Sequence, residues 1–175
     1  MSIHTLVDRL CTRLHDTPQF TTQGATLFVD LERKETRRKY LPAEVLTHFL
    51  GGRGANMWLL YNLLQEEKDA LDPEIPLIFG SGVLTSVMPS ATRGNFTSKS
   101  PESYAILDAN GGDYFPAFLK RHGYDHLVLF GKAAQWTLLR IAQDEITFED
   151  ATPYSGLNNL DTAAAVEREI GRAHV

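Results

Sequence analysis

SATRGNFTSKSPESYAILDANGGDYF, residues 90–115, has the composition of a segment that lines a site rather than one that fills a core. A core-building strand or helix spends its positions on Val, Leu and Ile. Here Arg93, Asn95, Lys99, Asn110, Gly111 and Gly112 leave backbone amides uncovered beside isolated cationic side chains. Uncovered amides next to an arginine are what anionic ligands use. Two strands are expected within the segment, at 93–98 and 103–109, because Pro101 disfavours continuation between them. After NGG, Asp113 is placed to cap a helix from Tyr114 to about His122, with Pro116 in its first turn and Gly123 as its C-cap.

Upstream, Ile3, Leu6, Val7, Leu10 and Leu14 recur at helical spacing, so residues 2–15 form an amphipathic helix that ends before Pro18. ATLFVDLE from Ala25 reads as a strand, and KETRRKY pairs back on it as a hairpin. Pro42 opens a helix through Phe49, LGGRG at 50–54 breaks it, and ANMWLLYNLLQEE forms a second helix with a wide apolar face. IPLIFGSGVLT is a buried strand that delivers a loop. Downstream, DHLVLFG, QWTLLRIAQ and EITFED are expected as three strands in meander with turns at Gly131 and Asp144, and Asp161 as the cap of a last helix. The pattern favours an α+β domain, β-rich, with short strands in meanders and four to five helices. It lacks the regular βαβ alternation of a doubly wound sheet.

The 175 residues, 43% hydrophobic and 22% charged, suffice for one globular core. A formal net charge of −5 argues against nucleic acid as a partner, and the basic run at 33–39 reads as a solvated hairpin edge. A single cysteine, Cys11, excludes an internal disulfide and a cysteine-ligated cluster made by this chain alone, and points to a reducing, cytoplasmic compartment. No apolar run approaches the about 20 residues that span a bilayer. There is no GxGxxG and no Walker loop; GSG at 80–82 lacks the third glycine.

Several motifs, taken in order, resemble the N-terminal domain of the tungsten-containing aldehyde ferredoxin oxidoreductases. LGGRGANMWLL is similar to that family's glycine–arginine loop and following helix. GVLTSVMPSATRGNFTSKSP is similar to its G-P-L-T-G…P…R-x-N…T-K-S-P run, DANGGDYF to its A-N-x-G-G-x-F run, and HGYDHLVLFGKA to the next strand. The resemblance spans roughly residues 25–170, within a domain read as 21–170, with 1–20 as an N-terminal helix and linker. It implies a base on which a tungsten (or molybdenum) bis-pterin cofactor of molybdopterin type rests, the redox chemistry belonging to the cofactor. By that resemblance Arg93 takes the place of the arginine between pterin and a 4Fe-4S cluster. Asn110 takes that of the asparagine whose backbone carbonyl binds a magnesium ion bridging the cofactor phosphates, and Gly112 that of a glycine whose backbone approaches the pterin. Gly111, Asn95 and Lys99 complete the expected cofactor-binding set, with Lys99 either facing phosphate or merely decorating a strand end, and with no catalytic residue in this chain.

Two departures bear on substrate: GVLTS stands where the family often has G-P-L-T-G, and Ala91 and Thr92 stand where two glycines often precede the arginine. The resemblance further implies that the cluster cysteines and the rest of the pocket lie in C-terminal domains beyond this chain, and that electrons pass to ferredoxin or an electron-transfer subunit. Residues 170–175, IGRAHV, resemble the translation of a sequencing adaptor, so 171–175 are expected to be a non-native tail. Two functions follow: the N-terminal piece of an oxidoreductase that converts aldehydes to carboxylic acids, inactive and metal-free by itself, or a stand-alone assembly module of the same fold. Arg53 is either a turn arginine holding carbonyls or a ligand-facing one. His48, His122 and His126 are expected in structural or surface roles. Arg93, Asn110 and Gly112 are expected to converge on one face that also leaves apolar side chains uncovered, Met88 and Phe115 foremost.

Overall fold

The computed structural model describes residues 1–112, 114–142 and 145–170; the expected cap at Asp113, the turn at Asp144 and the tail 171–175 lie outside the described residues. Helix α1 (Ile3–Cys11) is capped by the Ser2 hydroxyl, which accepts from the Thr5 amide at 3.3 Å, and buries Ile3, Val7, Leu10 and Cys11. Strands β1 (Ala25–Asp30) and β2 (Glu35–Lys39) form the expected hairpin, followed by α2 (Ala43–Phe49) and α3 (Gly52–Leu63). Then come β3 (Leu77–Ser81), β4 (Gly94–Lys99), β5 (Ile106–Gly111), α4 (Tyr114–Arg121) and β6 (Tyr124–Phe130). A hairpin of β7 (Thr137–Ile141) and β8 (Ile146–Asp150) and helix α5 (Asn159–Ile170) complete the described chain.

The main sheet has six strands in the order β2-β1-β6-β3-β4-β5, antiparallel except where β6 runs parallel to β1. One face packs Phe28, Ile78, Val128 and Phe130 against α1, α2 and α3, and the other packs Leu27, Val29, Phe79 and Leu127 against α4 and the β7-β8 hairpin. The result is an α+β domain of helices, sheet, then helix plus hairpin.

Three expectations are corrected. The strands after Gly123 are not a meander: β6 enters the middle of the large sheet, whereas β7 and β8 pair only with each other. The physical reason is burial. Strand β6 is apolar on both faces and needs a partner on each edge, while β7 and β8 offer one half-buried face each. The break at LGGRG is shorter than expected, because the chain turns at Leu50, Gly51 and Gly52, with φ of 60°, 100° and 51°, and α3 already contains Arg53 and Gly54. Helix α5 is capped by Asn158, whose Oδ1 accepts from the Asp161 amide at 2.9 Å; Asp161 itself sits in the first turn.

Candidate functional site

Helix α3 lies over β3 and β4 and runs in the direction of β4. Its Asn56 reaches Asn95 near the start of β4, and its Met57 and Leu60, with Leu64 just past its end, share a cleft with Lys99 at the other end. The N-terminus of α3 therefore sits at the sheet end where β3 and β5 finish and β4 begins, and a bridge between Gly51 and Gly82 ties it there. Gly94 pairs with Gly111 in the last step of the β4-β5 ladder, so Arg93 and Gly112 follow side by side just beyond it. This end is a rim of glycine backbone, from Gly51, Gly52 and Gly82 to Gly94, Gly111 and Gly112.

The glycines differ in what excludes a side chain. At Gly94 a Cβ would drive into the Phe79 ring, and at Gly80 it would drive into Asn56 Oδ1 and stand 2.6 Å from His126 Nδ1. At Gly112 no described atom beyond the chain neighbours lies within 4 Å of where the Cβ would be, so the packing of the described residues gives no reason for glycine there.

A row of small and polar residues crosses the sheet beneath α3. Thr26 pairs with His126, His126 with Gly80, Gly80 with Asn95, and Asn95 with Asn110. Asn56, in the space that Gly80 leaves open, joins the row from above. Its Nδ2 donates to the Asn95 backbone carbonyl at 3.0 Å and to Asn95 Oδ1 at 3.2 Å, so its Oδ1 is left to accept from His126 Nδ1 at 2.9 Å. Thr97 Oγ1 donates to Asn95 Oδ1 at 2.7 Å. Asn95 Nδ2 in turn donates to Asp108 Oδ1, to the Ala109 carbonyl at 3.3 Å and to Asn110 Oδ1 at 3.2 Å. Asp108 closes the chain with an ion pair to Arg53 Nε at 2.9 Å.

His126 is 1% exposed, and its Nε2 finds no partner among the described residues, like Thr26 Oγ1 beside it in the row. Burial pushes its pKa down to about 4, with Asp125 acting in the other direction and Lys120 reinforcing the fall. The ring is neutral at physiological pH and carries its proton on Nδ1.

Of the expected site residues, Arg93, Asn110, Gly111 and Gly112 come together at the rim, all but Gly111 exposed. Asn95 is 4% exposed, and its side chain is spent on the network. Lys99 lies at the far end of β4, about 17 Å away at the usual rise per residue. Its ammonium donates to the Glu66 and Lys68 carbonyls at 2.7 and 2.6 Å. Arg53, left open by the sequence, is tied to β5. Asn56, Asp108 and His126 were not singled out for the site. The available signal was a lone Asn on the buried face of an otherwise apolar helix and a His inside an apolar strand. Met88 and Phe115, expected uncovered, are 53% and 47% exposed, and Val83, Leu84 and Val87 of the same loop are exposed with them. Among the described residues no cluster of three or more His, Cys, Asp and Glu could hold a metal ion, and no helix is long and apolar enough to cross a membrane.

The family profile of the aldehyde ferredoxin oxidoreductase N-terminal domain matches residues 26–175, and the chain belongs to that family of oxidoreductase domains. The chain is 34% identical over 149 residues to the tungsten-containing aldehyde ferredoxin oxidoreductase of Thermococcus kodakarensis, covering 85% of this chain and 25% of that protein. To the aliphatic sulfonate oxidoreductase, WOR-like subunit, of Pyrococcus furiosus it is 31% identical over 154 residues, covering 86% of this chain and 24% of that one. Among solved structures, the active-site complex BamBC of benzoyl coenzyme A reductase with 1,5-dienoyl-CoA superposes with a TM-score of 0.81 at 27% identity. That match covers 84% of this chain and 23% of the other. The chain spans about a quarter of the length of the curated relatives it matches.

Proposed function

We propose that this chain is the cofactor-cradling N-terminal domain of a tungsten (or molybdenum) bis-pterin oxidoreductase that oxidises aldehydes to carboxylic acids and passes electrons to a ferredoxin-type acceptor in the cytoplasm. The observation that carries the reading is Gly112, a glycine whose Cβ position meets no described residue beyond its chain neighbours, standing open beside Arg93 and Asn110. A flat polar ring system can approach backbone only where no Cβ intervenes.

The residues at the rim fit such a group. Arg93 offers a planar fork of donors to the phosphates and polar edges of a pterin. Asn110 would contribute its backbone carbonyl to a magnesium ion bound with the cofactor, an oxygen of the kind magnesium prefers. Gly111 and Gly112 supply bare backbone. When bound, the tungsten–pterin group supplies the two-electron redox chemistry, and the domain's own part is to hold and orient it. Asn95 serves this site from behind. Lys99, whose ammonium is held by two carbonyls, enters it only as a support for β4. A 4Fe-4S cluster and the opposite wall of the pocket belong, on this reading, to C-terminal domains that also cover the exposed loop at 83–88. The relatives' names include sulfonate and coenzyme A thioester chemistry as well as aldehydes, so the base common to them does not choose the substrate.

The test is a chimera in which this chain replaces the matching quarter of the Thermococcus kodakarensis enzyme, produced where that enzyme acquires its cofactor. Retained tungsten and pterin, lost on Arg93→Ala and on Gly112→Val, is the expected result. A folded chimera that retains cofactor equally well with both substitutions overturns the assignment.

A further inference from the structure

We propose that Asn95 is a positioning residue: it does not touch the cofactor but fixes the side chain of Asn110 and the end of β5 that leads into Gly111 and Gly112. The inference rests on the reading of that strand end as the cofactor base, and adds how this chain holds the base in shape.

Three observations carry it. The first is saturation. The Asn95 carboxamide accepts from Asn56 and Thr97 and donates to Asp108, Ala109 and Asn110, so a buried side chain has no capacity left for a ligand. The second is direction. Asn56 can donate to Asn95 only because its own oxygen is taken by His126 Nδ1–H, and this fixes the orientation of each amide in turn. Hydrogen-bond donation therefore runs one way, from His126 in the core through Asn56 and Asn95 to β5. The third is where it ends. Strand β5 is the edge of the sheet, held on one side by β4 alone. Its three residues Asp108, Ala109 and Asn110 all receive Asn95 Nδ2, and Asp108 also receives Arg53 from the first turn of α3. Asn110 has its carboxamide oxygen held by Asn95 Nδ2 at 3.2 Å. Its backbone is held at the register in which Gly111 pairs with Gly94.

A purely structural role would spread the consequence of losing Asn95 over the whole fold; a positioning role confines it to the rim. Backbone amide exchange of the full chain followed by NMR separates the two. Asn95→Ala is expected to speed exchange at Asn110, Gly111 and Gly112 by about tenfold over any change at β1 and β6, the scale of losing one net hydrogen bond. The Asn110 side-chain NH2 pair should move toward random-coil shifts. Asn110→Ala should release the same amides to a smaller degree, because the bonds to Asp108 and Ala109 remain, and the double variant should add nothing beyond Asn95→Ala, in which the Asn110 contact is already lost. Should Asn95→Ala fail to fold, Thr97→Val, which keeps shape and removes one donor to Asn95, is expected to give a smaller change in the same amides. Uniform acceleration across all strands, or additive effects of Asn95→Ala and Asn110→Ala, overturns the proposal. A chimera that binds no pterin while this exchange pattern is intact counts against the proposed function and leaves the positioning role standing.

Discussion

Acidification should destabilise this fold through one buried ring before its carboxylates are fully protonated. His126 is enclosed by α3 and the middle of the sheet, and burial lowers its pKa from 6.5 to about 4, with Asp125 and Lys120 the nearby charges. The folded protein thus holds the neutral ring across a pH range in which the unfolded chain binds a proton. Because the unfolded state binds more protons there, stability rises with pH and falls on acidification. The contribution is complete above the unfolded value, declines from about pH 6.5 to about pH 4, and is spent below that. At 1.36 kcal/mol per pH unit the span corresponds to about 3 kcal/mol, a large share of a small domain's stability. Urea unfolding at intervals between pH 7.5 and 4 measures it, with His126→Gln as reference: a glutamine amide can still donate to Asn56 and does not titrate. Subtracting the variant removes the carboxylates common to both proteins. The wild-type excess should shrink by about 3 kcal/mol over that window, and a difference that stays flat refutes the reasoning.

Two glycine substitutions should part company. Gly80→Ala, whose methyl would collide with Asn56 and crowd His126, should cost about 3 kcal/mol by thermal unfolding, whereas Gly112→Ala should be neutral or stabilising by about 0.4–1 kcal/mol. The comparison fails if the order is reversed. Lys99→Met should lose about 2 kcal/mol by denaturant titration, since two charge-assisted bonds to the Glu66 and Lys68 carbonyls go with it; a loss below about 0.5 kcal/mol would show that solvent already satisfies those carbonyls. Val87→Ser with Met88→Ser should reduce binding of a hydrophobic dye and self-association of the chain without lowering its unfolding midpoint. Unchanged dye binding would place the sticky surface elsewhere.

Much of the fold was legible because its signals are local. The β1-β2 hairpin, helix α4 with Gly123 closing it, and the strands on either side of Pro101 all follow from a few neighbouring residues. The placement of β6 was not, since pairing across the sheet is a long-range event and DHLVLF carries no mark of which strands will flank it. The site divides the same way. Arg93, Asn110, Gly111 and Gly112 stand within one segment and were visible together. The residues behind them are 39 and 70 positions apart where Asn56 meets Asn95 and His126, and no spacing rule joins such partners. Lys99 shows the converse limit, because it stands in the same segment as the rim residues but lies at the other end of its strand, with its ammonium on the Glu66 and Lys68 carbonyls.

The rim explains why a polar network should sit in the middle of this core at all. Backbone made of glycine carries none of the side chains that ordinarily anchor strand ends, as at Gly80, Gly82, Gly94, Gly111 and Gly112. The face away from α3 keeps Phe79, Phe96 and Phe115 in contact at this end, whereas the face beneath α3 carries His126, Gly80, Asn95 and Asn110 in place of apolar side chains. Hydrogen bonds are directional and can reach across the space that glycine leaves, as Asn56 does over Gly80. An all-apolar replacement of Asn56, Asn95 and His126 would give comparable or greater stability, since buried polar groups contribute little net free energy. It would leave the register of β5 to a single ladder at the sheet edge, where strands slip and fray most readily. The network is thus best understood as a device for shape, and its effect should appear in the precision of the β5 terminus rather than in the midpoint of unfolding.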